Sequence, residues 1–276
     1  MAKTKKILAM LSEYGYWGEE LLGPLEKLEA AGYTVDFMTN NGKRAHALPP
    51  SMDASYYDPP LGGPVTSEAT AAKVRALDAS NKLDNPRSLK GWFPERPYFS
   101  SQSFLREYEK YWAGVNEASR SLDQYDGLLL VGGSGPIVDM VNNQRLHDVI
   151  LDFHKKDKPM CAVCYGVACL VFARDINIRK SILWGRHVTG HTVEYDYHDG
   201  TGFLNTDLNM GPPPYSLEYM LRDTVGPDGQ YHGNFGKATS VIVDYPFVTA
   251  RSNQCSFEAG EKFVEVLDKG LRRYGW

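Results

Sequence analysis

The residues best suited to chemistry sit in the stretch KPMCAVCYGVAC, residues 158–169. Pro159 to Cys164 reads as a short buried strand, with a helix expected from Gly166. Cys164 falls at the junction, with Ala162 two residues before it and Gly166 two after. Small-x-Cys-x-Gly is the cysteine form of a nucleophile elbow, a turn too sharp for bulky flanking side chains. A thiol held there faces the mouth of a sheet. It also lies near the positive end of the following helix, which favours thiolate over thiol. The competing reading is that Cys164 is a small apolar core residue, as free cysteine often is.

A thiol nucleophile needs an acid or base within reach and donors for developing negative charge. Glu19 and Glu20 open a helix expected from about Gly18. Acids in a first turn complement the helix dipole, and that suffices for Glu19 as a surface residue. Glu20 has a second use: pointing over the end of the sheet, a buried carboxyl is protonated and hydrogen-bonds a nearby sulfur. Gly132-Gly133-Ser134-Gly135-Pro136 ends another apolar strand. Glycines after a parallel strand bring backbone N–H groups close to a ligand. The spacing is neither GxGxxG nor a P-loop. That favours an oxyanion hole, with a plain tight turn as the bland alternative.

His191 to His198, HTVEYDYH, packs two imidazoles and two acids together. Read as extended chain, His191, Val193 and Tyr195 share one face, and Glu194, Asp196 and His198 the other. An imidazole oriented by an acid suits a thiol better than a metal site, since no third-ligand motif accompanies it. Cys161-x-x-Cys164 has redox or zinc half-site spacing. Residues three apart on a strand point to opposite faces, however, and no second C-x-x-C exists. No metal and no cofactor are expected.

The elements that must position these groups follow from the apolar pattern. Ile7–Leu11 and Tyr125–Val131 are continuous apolar runs, the mark of strands buried on both faces. A helix from Gly18 to Gly32 carries Leu21, Leu22, Leu25 and Leu28 on one face, and Tyr33–Thr39 follows as a strand. Strand, helix, strand implies a parallel sheet with right-handed crossovers. Further helices are expected over Ser67–Ala79, Phe104–Leu122, Ile137–Lys156, Ser216–Thr224 and Phe257–Tyr274. Val241–Asp244 and Phe247–Ala250 form a hairpin around Tyr245-Pro246. Asn40 to about Ser100 is rich in Pro, Gly, Ser and Asp, and is expected to pack over the sheet mouth. Trp92, Phe93, Pro94, Tyr98 and Phe99 in it, with Tyr108, Tyr111 and Trp112, either wall a pocket or glue the excursion down. Asp199–Pro214 is a second irregular stretch. The expectation is one domain, residues 1–276, with insertions at about 40–122 and 197–236.

Formal net charge is −4, so neither nucleic acid nor an anionic membrane surface is an expected partner. The charged N-terminus leads into a short broken apolar run, a first strand rather than a signal peptide, and no run reaches membrane-spanning length. A soluble cytoplasmic protein in a reducing compartment is expected.

Glu20 on the first helix, Gly133-Ser134-Gly135, and Ala162-Val163-Cys164-Tyr165-Gly166 together resemble the ThiJ/PfpI superfamily with its class I glutamine amidotransferase-like fold. The long excursion is similar to that of the heat-shock chaperone and glyoxalase III branch. The resemblance implies an α/β, flavodoxin-like three-layer sandwich with a mainly parallel central sheet and a cap formed by the insertions. It implies Cys164 as nucleophile, Glu20 as the protonated acid touching it, and the Gly133 and Tyr165 N–H groups as the oxyanion hole. It places Asp196 where that branch has its triad acid, and Tyr16, Trp17, Ser134, Glu194 and His198 are the substrate-contact candidates. It implies a small-molecule substrate and a homodimer. Tyr165 departs from the pattern, because the branch has histidine after the cysteine and a phenol is a poor base at neutral pH. Either His191 or His198 then supplies the imidazole, or Cys164 and Glu20 act alone, as in isocyanide hydratases. Glutaminases place His-x-Glu near the C-terminus, and none lies there. The implied activity is glyoxalase III- or deglycase-like chemistry on a 2-oxoaldehyde, with another small-molecule hydratase or hydrolase as alternative. A non-enzymatic alternative is a holdase chaperone or cysteine oxidation sensor.

Overall fold

In the computed structural model the described residues are 4–58, 62–97, 103–197 and 216–276, with the side chains of residues 196 and 197 outside the description. Among the described residues eight strands form the central sheet: β1 Lys6–Met10, β2 Thr34–Thr39, β3 Arg87–Ser88, β4 Gly127–Leu130, β5 Met160–Val163, β6 Val241–Asp244, β7 Phe247–Ala250 and β8 Arg273–Tyr274. Their order is β8-β6-β7-β5-β4-β1-β2-β3. Every pairing from β3 to β7 is parallel, and only β6 runs antiparallel, to β7 and to β8. The apolar runs of β1, β4 and β5 are buried throughout apart from the first residue of β1, as strands covered on both faces must be.

The principal helices are α1 Gly18–Ala30, α2 Glu68–Ala79, α3 Phe104–Leu122, α4 Gln144–Lys155, α5 Leu217–Thr224 and α6 Ser256–Lys269. On one face of the sheet α1 packs along α6, and on the other α3 packs against α4. This is the α/β three-layer sandwich with a mainly parallel sheet.

Three local expectations are corrected. The helix expected over Ile137–Lys156 is two pieces, Pro136–Asp139 and α4, because Asn143 caps a new start by accepting from the Arg145 and Leu146 N–H groups. The C-terminal helix stops at Lys269, where Gly270 turns left-handed at φ 64° and frees β8 to join the sheet edge. Residues 193–197 form a short helix, not an extended segment, so the alternating faces expected for His191–His198 do not apply. His198 and the stretch 199–214 lie outside the described residues, as do Tyr98 and Phe99.

Within the excursion, Tyr16 bridges to Ala47, and α2 lies against α1. The aromatic group acts as glue. Phe93 is buried, Trp92 donates to Ser121 Oγ at 2.7 Å, and Tyr111 donates to Asp148 at 2.6 Å.

Candidate active site

β1, β4, β5 and β7 all end at the same edge of the sheet. There β1 has β2 on one side and β4 on the other, the reversal of strand order where open α/β sheets place ligands. The chain leaving β5 turns at Cys164, whose φ of 54° is in the left-handed region. One turn of 3-10 helix, Cys164–Val167, and one of α-helix, Ala168–Val171, follow. The helix behind the elbow is therefore shorter than expected. Gly166 is required by close approach, since a Cβ there would lie 2.4 Å from the Leu130 carbonyl oxygen.

Glu20 meets the thiol from α1. Its carboxyl is buried beside the Cys164 thiol and the Gly133 N–H, both of which favour its ionised form. Gly132 makes the approach feasible: a Cβ there would sit 2.4 Å from Glu20 Oε2 and 2.2 Å from the Val163 oxygen. Burial is the main cause that pushes the Glu20 pKa up to about 8, and the Glu19 charge pushes in the same direction. Glu20 is thus protonated at neutral pH. The Cys164 thiol is also pushed well above its ordinary value, chiefly by burial and then by the Glu20 charge, while the Gly133 and Tyr165 N–H groups oppose the rise. Desolvation of the sulfur works against the help to the thiolate expected from the helix end behind the elbow. The same two N–H groups are those expected to form an oxyanion hole, and both are directed at the sulfur.

His191 Nδ1 lies 3.4 Å from Cys164 Sγ. Three anchors hold its loop. The Thr189 N–H donates to Thr249 Oγ1 of β7 at 3.0 Å, Tyr231 donates to the Gly190 carbonyl at 3.1 Å, and the Val193 N–H donates to Glu218 at 3.1 Å. Glu218, buried on α5 and paired with Arg222, was missed by sequence reasoning. Its only signal was the Glu218/Arg222 spacing, which any exposed helix can show. The Tyr165 ring lies 4.5 Å from the His191 ring at 31°. The imidazole thus reaches the thiol from residue 191, with Tyr165 packed behind it.

The remaining candidates divide. Tyr16 is fully buried and its hydroxyl reaches toward Asp78, so its side chain belongs to the scaffold. Trp17 is partly buried and Ser134 almost wholly so. Trp17 Nε1, Ser134 Oγ, Thr192 Oγ1 and Glu20 Oε2 are buried without a hydrogen-bond partner among the described residues. Glu194 is partly buried on the short helix 193–197 and acts electrostatically on Tyr195 and Tyr231. Asp196 lies on the same helix, with its side chain outside the description. Glu19 is not a surface acid: it is 8 % exposed, accepting from Thr66 at 2.6 Å and Asn253 at 2.8 Å. Cys161 is buried inside the sheet, paired in register with Leu129 and Val248, and all four cysteines are free. Among the described residues no group of three or more His, Cys, Asp or Glu is arranged to hold a metal, and no helix is long and apolar enough to cross a membrane.

Comparison with known proteins identifies the fold and the family. Glutamine amidotransferase-like class 1 domain-containing protein 1 of Bos taurus is 34% identical over 141 residues, covering 51% of this chain and 59% of that protein. The chain's match thus spans a little over half of that relative. In fold, it is similar to the Rapid Encystment Protein 24 KDa of Francisella tularensis, with TM-score 0.67 and 20% identity over 96% of this chain and 99% of that one. It is also similar to glyoxalase III of Candida albicans, with TM-score 0.56 and 16% identity over 94% and 96% of the two chains. A sequence model described as ThiJ/PfpI family-like matches residues 11–194, from the end of β1 through Cys164 to the His191 loop. The chain belongs to the ThiJ/PfpI family.

Proposed function

We propose that this protein is a cofactor-independent cysteine enzyme that converts a 2-oxoaldehyde to a 2-hydroxy acid. The observation that carries the reading is the convergence on Cys164 Sγ of His191 Nδ1 at 3.4 Å and the Glu20 carboxyl. Burial disfavours a standing thiolate, so His191 takes the thiol proton as sulfur adds to the aldehyde carbon. The Gly133 and Tyr165 N–H groups receive the resulting oxyanion. The aldehyde hydrogen then leaves C1 as a proton and a proton is added at C2, with Glu20 and His191 as carriers. The 2-hydroxy thioester so formed is hydrolysed by water, releasing the acid and restoring the thiol. Atoms balance as 2-oxoaldehyde plus water to 2-hydroxy acid. Trp17, Ser134 and Thr192, whose buried polar atoms have no hydrogen-bond partner among the described residues, supply hydrogen bonds a small polar substrate can take.

A hydratase that works through Cys164 and Glu20 alone leaves the His191 contact without a use. A holdase role draws on the Trp92–Phe99 cluster, of which Phe93 is buried and Trp92 half-buried with its indole N–H bonded to Ser121, while Tyr98 and Phe99 lie outside the described residues. The test is 2-hydroxy acid formation from methylglyoxal and phenylglyoxal without added thiol or metal. Cys164→Ser should abolish it, and Glu20→Gln and His191→Ala should each lower kcat by about 10² or more. Turnover that survives Cys164→Ser, or wild-type protein inert toward every 2-oxoaldehyde, would overturn the reading.

A further inference from the structure

The loop that carries His191 is tied down through main-chain atoms of Thr189, Gly190 and Val193. Those anchors fix the backbone and leave the two side-chain torsions of His191 to whatever packs on its ring. The torsions decide the chemistry. Half a turn about the Cβ–Cγ bond carries Nδ1 away from the sulfur and puts a ring carbon in its place. Two phenol rings meet the imidazole. The Tyr165 ring centre lies 4.5 Å away with 31° between the planes, and the Tyr195 ring centre 6.0 Å away at 46°. Aromatic pairs attract at separations of about 4.5–7 Å. Tyr165 is buried. Tyr195 is half-buried, with the Arg251 guanidinium 5.8 Å from its ring centre. Arg251 is itself held by the carbonyls of Gly233, Asn234, Lys237 and Ala238, so the second ring has a fixed neighbour behind it.

We propose that Tyr165 is a positioning residue for His191: its ring, with Tyr195 as a second wall, holds Nδ1 on Cys164 Sγ. The inference rests on the reading of Cys164 and His191 as nucleophile and base. Tyr165 follows Cys164 directly in the 3-10 turn Cys164–Val167, so the thiol and the wall belong to one local unit. The Tyr165 N–H acts on the sulfur while its ring packs on the imidazole. One residue thereby sets both an oxyanion donor and the aim of the base. The contact is ring to ring, so phenylalanine keeps it and leucine does not. Tyrosine, phenylalanine and leucine are all uncharged at neutral pH, so such exchanges alter packing without altering the field at the thiol. Misplacing a reacting atom by about 1 Å can cost about 10²-fold in rate.

The experiment is the pH profile of Cys164 alkylation by iodoacetamide in the full chain, with Cys164→Ser as the blank and His191→Ala as the reference for a lost base. His191→Ala should slow alkylation at about pH 7 by about 10² and move the profile to higher pH. Tyr165→Leu should move it in the same direction, slowing alkylation by about 10–10²-fold. Tyr195→Leu should do so by less, and Tyr165→Phe should keep the wild-type profile. On a 2-oxoaldehyde, Tyr165→Leu should lower kcat and leave KM nearly unchanged. A folded Tyr165→Leu protein with the wild-type profile overturns the inference, as does a wild-type profile in Tyr195→Leu should Tyr165→Leu fail to fold. A Tyr165→Phe profile that matches Tyr165→Leu also overturns it, since the ring face is then not what holds the base. A His191→Ala profile equal to wild type overturns the base itself, a distinguishable result.

Discussion

Glu20 makes the stability of this protein fall as pH rises, and the effect can be isolated with one substitution. The folded carboxyl titrates at about 8 and the free one at 4.5. Between those values the unfolded chain has released the proton and the folded chain still holds it. Stability from this group is fully present below about pH 4.5 and is lost as pH climbs through about 8. Each pH unit in that window costs about 1.4 kcal/mol, so the move from about pH 5 to about pH 7 removes roughly 2.7 kcal/mol. Glu20→Gln keeps the shape of the protonated carboxyl and removes the titration. Urea unfolding of both proteins at several pH values, with equal m-values, gives the difference directly. The variant should gain roughly 2–3 kcal/mol on wild type between about pH 5 and pH 7. Parallel profiles would refute the protonated, buried carboxyl on which both the site and the proton inventory depend.

Other perturbations separate scaffold from chemistry. Gly132→Ala forces a methyl into the space between Glu20 and the Val163 carbonyl; it should cost about 1–3 kcal/mol in denaturant unfolding and slow alkylation of Cys164. Arg251→Met should destabilise by more than about 2 kcal/mol, because this fully buried guanidinium bonds the carbonyls of Gly233, Asn234, Lys237 and Ala238. Hydrogen exchange should show residues 233–238 loosened. Glu218→Gln should leave the thermal midpoint nearly unchanged yet lower kcat on a 2-oxoaldehyde, since it weakens the anchor at Val193 that sets His191. Cys161→Ala should leave the pH profile of Cys164 alkylation unchanged.

The core of the site was legible because its grammar is local. An apolar run, a small residue, Cys164, one residue and Gly166 specify a strand, a turn and the tight space the turn needs. Glu20 was legible because a helix opening after β1 has one direction open to it, over the sheet edge. Glu19 was misread for the same reason: first-turn acids are ordinarily solvated, and its partners Thr66 and Asn253 are contributed by distant segments. The His191 stretch misled because alternating polar and apolar residues were read with a strand's period. The Val193 N–H bond to Glu218 instead starts a helical turn there. Burial of the thiol was also invisible, since desolvation is a property of everything packed around Cys164 rather than of its neighbours in sequence.

The left-handed backbone at Cys164 sets stability and chemistry against each other at a single residue. A residue with a Cβ in that conformation stores about 1–3 kcal/mol, and only glycine escapes the cost. Selection for thermal endurance alone, blind to turnover, should therefore drift toward Cys164→Gly early, trading the thiol for a relaxed turn. A laboratory lineage evolved that way would record, in one codon, when its chemistry ceased to matter.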